Sequence, residues 1–186
     1  MNKTLIAVIA LVVLVALPLI GSYNGFVTKS QMVATQWAQV QTQYQRRFDL
    51  IPNLVSSVEG IMTQEKEVFG QIASARAAYA GAQTPDSQVA AATQVESALG
   101  RLLVIMENYP TLKSNESVNR LMDELAGTEN RIAVERSRYN DSVTDYNLAV
   151  SRFPGSLIAP MFGFSPKPLF TTTPGADQVP SVNLNP

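Results

Sequence analysis

"VQTQYQRRFDLIPNLVSSVEGI" (residues 40–61) places Val40, Tyr44, Arg47, Ile51, Leu54, Val58 and Ile61 at alternating steps of four and three. That alternation is a heptad-type seam, the pattern of a helix that packs along one stripe against other helices. Pro52 interrupts it, because proline supplies no N–H and disfavours helix at the residue before it. Around it, "RRFDLIPNL" (46–54) combines two arginines, an Asp and a Pro, the marks of one helix stopping and the next starting. Two readings follow. Either Pro52 sits in a tight turn between two helices of a bundle, or it kinks one arm of a long hairpin.

Working outward, the same seam takes in Val33 and Trp37 before the quoted stretch, and Glu65, Val68, Ile72, Ala75 and Tyr79 after it. "AGAQTPDSQ" (80–88) breaks the pattern and restarts it: Thr84 suits an N-cap, Pro85 the first helical position, and Asp86 the positive end of the helix dipole. Ala92, Val95, Leu99, Leu102 and Met106 then repeat the three-and-four spacing until Pro110. Ser114 can cap a last helix with Leu121, Leu125, Thr128, Ile132, Glu135, Tyr139, Val143, Tyr146, Val150 and Phe153 on its seam. The segments 24–50, 52–80, 85–108 and 114–152 are comparable in length and closely joined, as an up-and-down bundle requires.

The N-terminus carries a different signal. No charge occurs from Thr4 to Thr28, and Leu5–Ile20 is strongly apolar. With its tolerant neighbours the stretch reaches the roughly 20 residues that cross a bilayer core. No small-x-small cleavage site follows the apolar run, so the reading is an uncleaved signal-anchor rather than a removed signal peptide. Lys3 and the α-amine flank one end and Lys29 the other. The positive-inside rule leans by one charge toward a bundle on the extracytoplasmic side.

The expected fold is all-α: an N-terminal transmembrane helix, then an antiparallel up-and-down bundle of about four helices, with a long kinked helical hairpin as the alternative. Seven of the 11 prolines fall in 154–186, so no long helix continues there. The expected division is an anchor at 1–23, a bundle at 24–153, an apolar Pro/aromatic segment at 154–170, and a Pro-rich extended or disordered tail at 171–186.

Composition narrows the chemistry. The 186 residues carry a net charge of −1, which gives no electrostatic basis for binding nucleic acid. Without Cys there are no disulfides, thiolate nucleophiles or thiolate metal sites. Without His, the commonest neutral-pH base and metal ligand is missing. A di-iron bundle needs Glu-x-x-His on facing helices, so that site is excluded. No cofactor is expected, and no catalytic residue is assigned.

"TENRIAVERSRYND" (128–141) is the densest charge in the chain. Arg131 and Glu135, Glu135 and Arg138, and Arg138 and Asp141 lie three or four apart, as on a solvated helix face braced by ion pairs. Thr128 and Glu135 fall on the seam, as do Arg47 and Glu65. A buried charge is expensive unless paired, so these positions imply contacts between helices. The candidates are Arg46, Arg47, Asp49, Glu65, Thr128, Glu129, Arg131 and Glu135, with Arg46 or Arg47 pairing to Glu129 or Glu135. In the post-bundle segment, Met161, Phe162, Phe164 and Phe170 are candidates either for a lid on the core or for a membrane or partner contact.

Several segments together resemble the LemA family of membrane-anchored bacterial proteins: "YQRRFDLIPNLV" (44–55), "YPTLKSNE" (109–116), "LAGTENRIAVERSRYNDSVTDYN" (125–147), "FP…FGF" (153–164) and "PLF…PGADQVPSVNL" (168–184). The resemblance runs the whole chain and implies a helical bundle behind one transmembrane helix. It carries no mechanism with it, although some members are associated with magnetosome membranes. Glu135 stands where the family pattern implies a small residue.

The expected function is therefore a non-enzymatic scaffold or adaptor in the bacterial cytoplasmic membrane. Its partners would be the lipid bilayer, an unidentified membrane or soluble protein, or a second copy of the chain. Membrane shaping or tethering is the alternative.

Overall fold

The computed structural model describes residues 2–170, the side chain of Lys113 excepted; the tail expected at 171–186 lies outside the described residues. Among the described residues six α-helices follow one another: α1 (Lys3–Glu59), α2 (Lys66–Gly81), α3 (Pro85–Met106), α4 (Pro110–Lys113), α5 (Glu116–Ser151) and α6 (Gly155–Ile158). A 3₁₀ turn, Ala159–Phe162, continues directly from α6. No strand occurs among the described residues. The protein is all-α, with a long apolar helix at its N-terminus.

Pro52 is neither a turn nor a break, because α1 runs through it from Lys3 to Glu59. A proline inside a helix costs about 3 kcal/mol. Against that, Phe48, Ile51, Leu54 and Val58 are all buried on either side of it. Each such side chain gains about 1.5–3 kcal/mol from leaving water, so packing outweighs the local penalty. The first joint comes after Glu59 instead, in the turn Gly60–Glu65, where Met62 is fully buried. Ile61, expected on the seam, is exposed there. The helices are consequently unequal, with α1 and α5 long and α2 only 16 residues.

The chain divides into two compact units, Thr35–Glu135 and the flanking pair Met1–Ala34 with Arg136–Pro186. The first, the bundle unit, is built on the seam spacing. Val40, Tyr44, Arg47, Ile51, Leu54 and Val58 are buried from α1, Val68, Ile72 and Ala75 from α2, and Ala92, Val95, Leu99, Leu102 and Met106 from α3. From α5 come Leu125, Thr128 and Ile132. Tyr44 and Phe48 stack in this core and half-buried Tyr79 meets both, its ring edge-to-face with that of Phe48 at 4.3 Å.

Capping chemistry fixes the starts of α3 and α5. Thr84 and Ser87 form a reciprocal capping box at the start of α3, with Pro85 in the first turn. For α5 the cap is Asn115 rather than Ser114: its Oδ1 accepts from the backbone N–H groups of Ser117 and Val118, at 3.0 and 3.3 Å. The Ser114 hydroxyl donates instead to the Thr111 carbonyl.

The second unit, the anchor unit, contains the exposed apolar stretch of α1. Leu5, Leu11, Leu14, Leu17 and Ile20 are each more than half exposed. That stretch and α3 are both long and apolar enough to cross a membrane. They differ in what covers them: none of the best α1 window is buried within the protein, whereas α3 turns seven buried residues into the bundle. In the same unit, Phe26 and Val33 of α1 and Tyr139, Val143, Tyr146 and Val150 of α5 are buried.

Candidate functional sites: a charged node and an aromatic elbow

In the bundle unit, the polar residue buried deepest among the charged groups is Arg47, whose side chain is 10% exposed. Its Nη1 pairs with Glu129 on α5 and, at 3.5 Å, with Glu96 on α3. One guanidinium end thus joins three helices. Its Nε is buried with no hydrogen-bond partner, so the group is held from that end alone. The two acids are far more open, at 27% and 44% exposure. This is an interior cation reaching toward partly hydrated anions.

The other candidates distribute differently. Arg46, Asp49 and Arg131 are exposed, and Asp49 accepts a hydrogen bond from Gln45 one turn away on the same helix. Thr128 is buried but donates within its own helix, to the Leu125 carbonyl at 2.7 Å. Glu65 occupies the N-cap position of α2 without a side-chain cap hydrogen bond, and accepts from the hydroxyl of Tyr109, which precedes α4, at 3.4 Å. Glu135 is half-buried at the end of the bundle unit. Glu96 had no signal beyond its spacing from Ala92 and Leu99.

In the same unit, a cleft of about 600 Å³ is lined by Gln41, Gln45, Phe48, Arg76, Tyr79 and Gln88, among others, and by none of the three residues of the node. The amides of Gln41 and Gln88 bridge it at 2.8 Å. Burial first, and the neighbouring Tyr44 second, push the Tyr79 hydroxyl up to about 12. A proton held that firmly is unsuited to acid–base work near neutrality. Among the described residues, no group of three or more Asp, Glu, His or Cys could hold a metal ion.

The anchor unit holds a second constellation. After Ser151 the chain leaves α5 and folds into α6 and the 3₁₀ turn. Gly155 makes this possible: a Cβ there would run into the Ala149 carbonyl oxygen and sit 3.3 Å from the Phe26 ring. Gly163 has φ of +75°, the left-handed region that glycine enters freely. Its reversal lets both flanking phenylalanines meet α1. Phe162 and Phe164 pack on Tyr23 at ring distances of 5.1 and 5.8 Å, and Phe164 also meets Phe26 at 5.4 Å. Met161 is 72% exposed, and Phe153, expected on the seam, is 81% exposed because the helix ends before it can turn inward.

Beyond the elbow, residues 165–170 form an extended strap along α5. Asn147 donates to the Lys167 carbonyl and accepts from the Lys167 N–H, both at 2.8 Å. Asn140 repeats this on Phe170, at 2.9 and 2.7 Å. The spacing explains the repeat. Seven helical residues advance about 10.5 Å at roughly 1.5 Å each, and three extended residues advance about 10 Å at roughly 3.3 Å each. Tyr146 donates to the Ser165 carbonyl at 3.0 Å, Lys167 donates to Ser30 at 3.0 Å, and the Arg136 guanidinium lies 4.6 Å from the centre of the Phe170 ring. Asn140 and Asn147 escaped the sequence reading. Their trace was the dipeptide Tyr-Asn repeated seven residues apart.

The model of the LemA family matches residues 36–184. The chain is 27% identical to magnetosome proteins MamQ 1 and MamQ 2 of Paramagnetospirillum magneticum (strain ATCC 700264 / AMB-1), over 92% of this chain and 72% of theirs. The same figures hold for magnetosome protein MamQ of Magnetospirillum gryphiswaldense (strain DSM 6361 / JCM 21280 / NBRC 15271 / MSR-1).

Proposed function

Because the chain belongs to the LemA family, whose model matches most of its length, we propose that it is a single-pass membrane protein whose helical bundle acts as a non-enzymatic scaffold. One observation carries this reading. The helix that exposes Leu5–Ile20 continues unbroken to Glu59 and supplies bundle core from Val40 to Val58. A single helix therefore contributes residues to both the anchor and the bundle.

The magnetosome names of the relatives support a membrane setting, and the exposed apolar face of α1 calls for a bilayer around it. The scaffold reading also draws on how the polar groups are used. Arg47, Glu96 and Glu129 are engaged in joining helices, and the Tyr79 proton is held too tightly for transfer. The bundle would lie on the extracytoplasmic side of the cytoplasmic membrane, by the charge of Lys3 and the α-amine.

The test is association. The whole chain is extracted from native membranes after cross-linking in place, then sized by light scattering in detergent. The expected result is a complex of defined stoichiometry, with a second copy or another protein. A monodisperse monomer that cross-links to nothing overturns the scaffold reading.

A further inference from the structure

The elbow is apolar at its buried and its exposed positions alike. Gly155, Ile158 and Ala159 are buried against the anchor unit. Phe153 just before α6, Leu157 within it and Met161 in the 3₁₀ turn, an apolar stripe four residues apart in sequence, are 81, 66 and 72% exposed. A segment meant to face water carries charged or polar residues at such positions. Here no charge occurs from Phe153 to Pro166. Cations bracket the segment, exposed Arg152 before it and Lys167 after it.

Position identifies what covers the stripe. Counting from Leu5, the roughly 20 helical residues that span a hydrocarbon core end near Tyr23. Phe162 and Phe164 pack directly on the Tyr23 ring, and Phe164 on Phe26. The elbow therefore stands at the level where the apolar face of α1 stops. Aromatic residues gather there in membrane proteins, and apolar segments flanked by cations lie in the plane of the interface. The exposed faces of α1 and of the elbow are continuous at Tyr23, so one covering serves both.

We infer that residues 153–162 form an interfacial foot, with Phe153, Leu157 and Met161 inserted at the boundary between lipid headgroups and acyl chains on the side of the membrane that carries the bundle. The inference rests on the membrane-anchored reading above. It differs from a lid on the core, because the residues that close the core here are Gly155, Ile158 and Ala159, and from a docking face for protein, because the stripe begins where the bilayer ends.

The absence of native cysteine makes the test direct. Single Cys variants at Leu157 and Met161, with Leu11 and Val104 as comparisons, are labelled with the environment-sensitive fluorophore NBD. The full-length chain is reconstituted in vesicles of phosphatidylcholine, and of phosphatidylcholine with phosphatidylglycerol, containing a doxyl quencher high or deep on the acyl chain. Leu11→Cys reports the anchor, and Val104→Cys an exposed site in the bundle unit. The expected result is blue-shifted emission at Leu157→Cys and Met161→Cys, quenched more by the shallow doxyl than by the deep one. Leu11→Cys should be quenched too, and Val104→Cys should not. Stronger quenching in the anionic vesicles would assign a headgroup contact to the flanking cations.

Quenching at Leu11→Cys with none at Leu157→Cys overturns the foot and leaves the anchor standing. No quenching at any site overturns the anchor and the foot together. Blue-shifted emission at labelled Leu157→Cys without lipid quenching, with disulfide capture of a second copy when the same variant is left unlabelled and oxidised with copper phenanthroline, overturns the foot in favour of a contact between copies.

Discussion

The two units solve the same problem, fixing one chain segment against another, by opposite means. In the bundle unit, register is set by side chains meeting side chains: an apolar seam, with Arg47 reaching Glu96 and Glu129. In the anchor unit, an irregular strap is held by side chains that engage backbone, Asn147 on Lys167 and Asn140 on Phe170. Helices satisfy their own backbone and need only be positioned. An extended strap has N–H and C=O groups to satisfy, and a neighbouring helix can offer only side chains for that purpose.

The contrast breaks first at the charged node. Removing both acids strands a guanidinium that is nine-tenths buried, whereas removing the arginine leaves two acids that can reach water. Glu96→Ala with Glu129→Ala should therefore cost about 3 kcal/mol or more. Arg47→Met should cost less than about 1 kcal/mol, as an apolar side chain of similar length fills the seam. Urea melts followed by helical circular dichroism measure both. Equal losses would show that the node acts as a symmetric pair.

Next comes the elbow. Gly155→Ala must move the Ala149 carbonyl and crowd the Phe26 ring as well, an overpacking cost of roughly 1–3 kcal/mol. Hydrogen exchange should rise across 153–170 while the amides of α2 and α3 stay protected. If α2 and α3 lose protection equally, the units do not respond separately.

The strap is weaker still. Asn147→Asp keeps an acceptor for the Lys167 N–H but sets a carboxylate against the Lys167 carbonyl. A loss of about 1–2 kcal/mol is expected, confined to the strap and read by limited proteolysis near Lys167. Asn140→Asp should behave alike at Phe170.

The last effect is a pH dependence in the bundle unit, confined to alkaline pH. Tyr79 is pushed from 10.0 to about 12, chiefly by burial. Between those values the folded protein retains a proton that the unfolded chain has released, so stability falls as pH rises from 10 toward 12. Below pH 10 the contribution is fully present. Tyr79→Phe should flatten the alkaline limb of a stability-against-pH curve, and an unchanged slope would assign that limb to other tyrosines.

The bundle was the more legible of the two units. A helix seam is periodic in one dimension, so Val40, Tyr44, Ile51, Leu54 and Val58 could be picked out by counting, and the structure buries all five. Pro52 misled because its cost is local while the burial that overrides it comes from distant helices. Phe153 fits the seam by number and fails because the helix stops two residues earlier. At the candidate sites, Arg47 and Glu129 stood out as charges on or beside a seam. Asn140 and Asn147 did not, because their partners are backbone groups that any residue presents.

The matched rise of α5 and its strap couples their lengths as two scales of a vernier are coupled. Helix and extended chain come into coincidence at seven residues of one and three of the other. A single residue added between Asn140 and Asn147 rotates one amide by about 100° and lifts it off its mark. A single residue added between Lys167 and Phe170 slides the other mark by about 3.3 Å. Seven residues added to the helix are absorbed only if three enter the strap. Relatives that differ in length between these marks should therefore differ in that ratio or lose one of the two pairings.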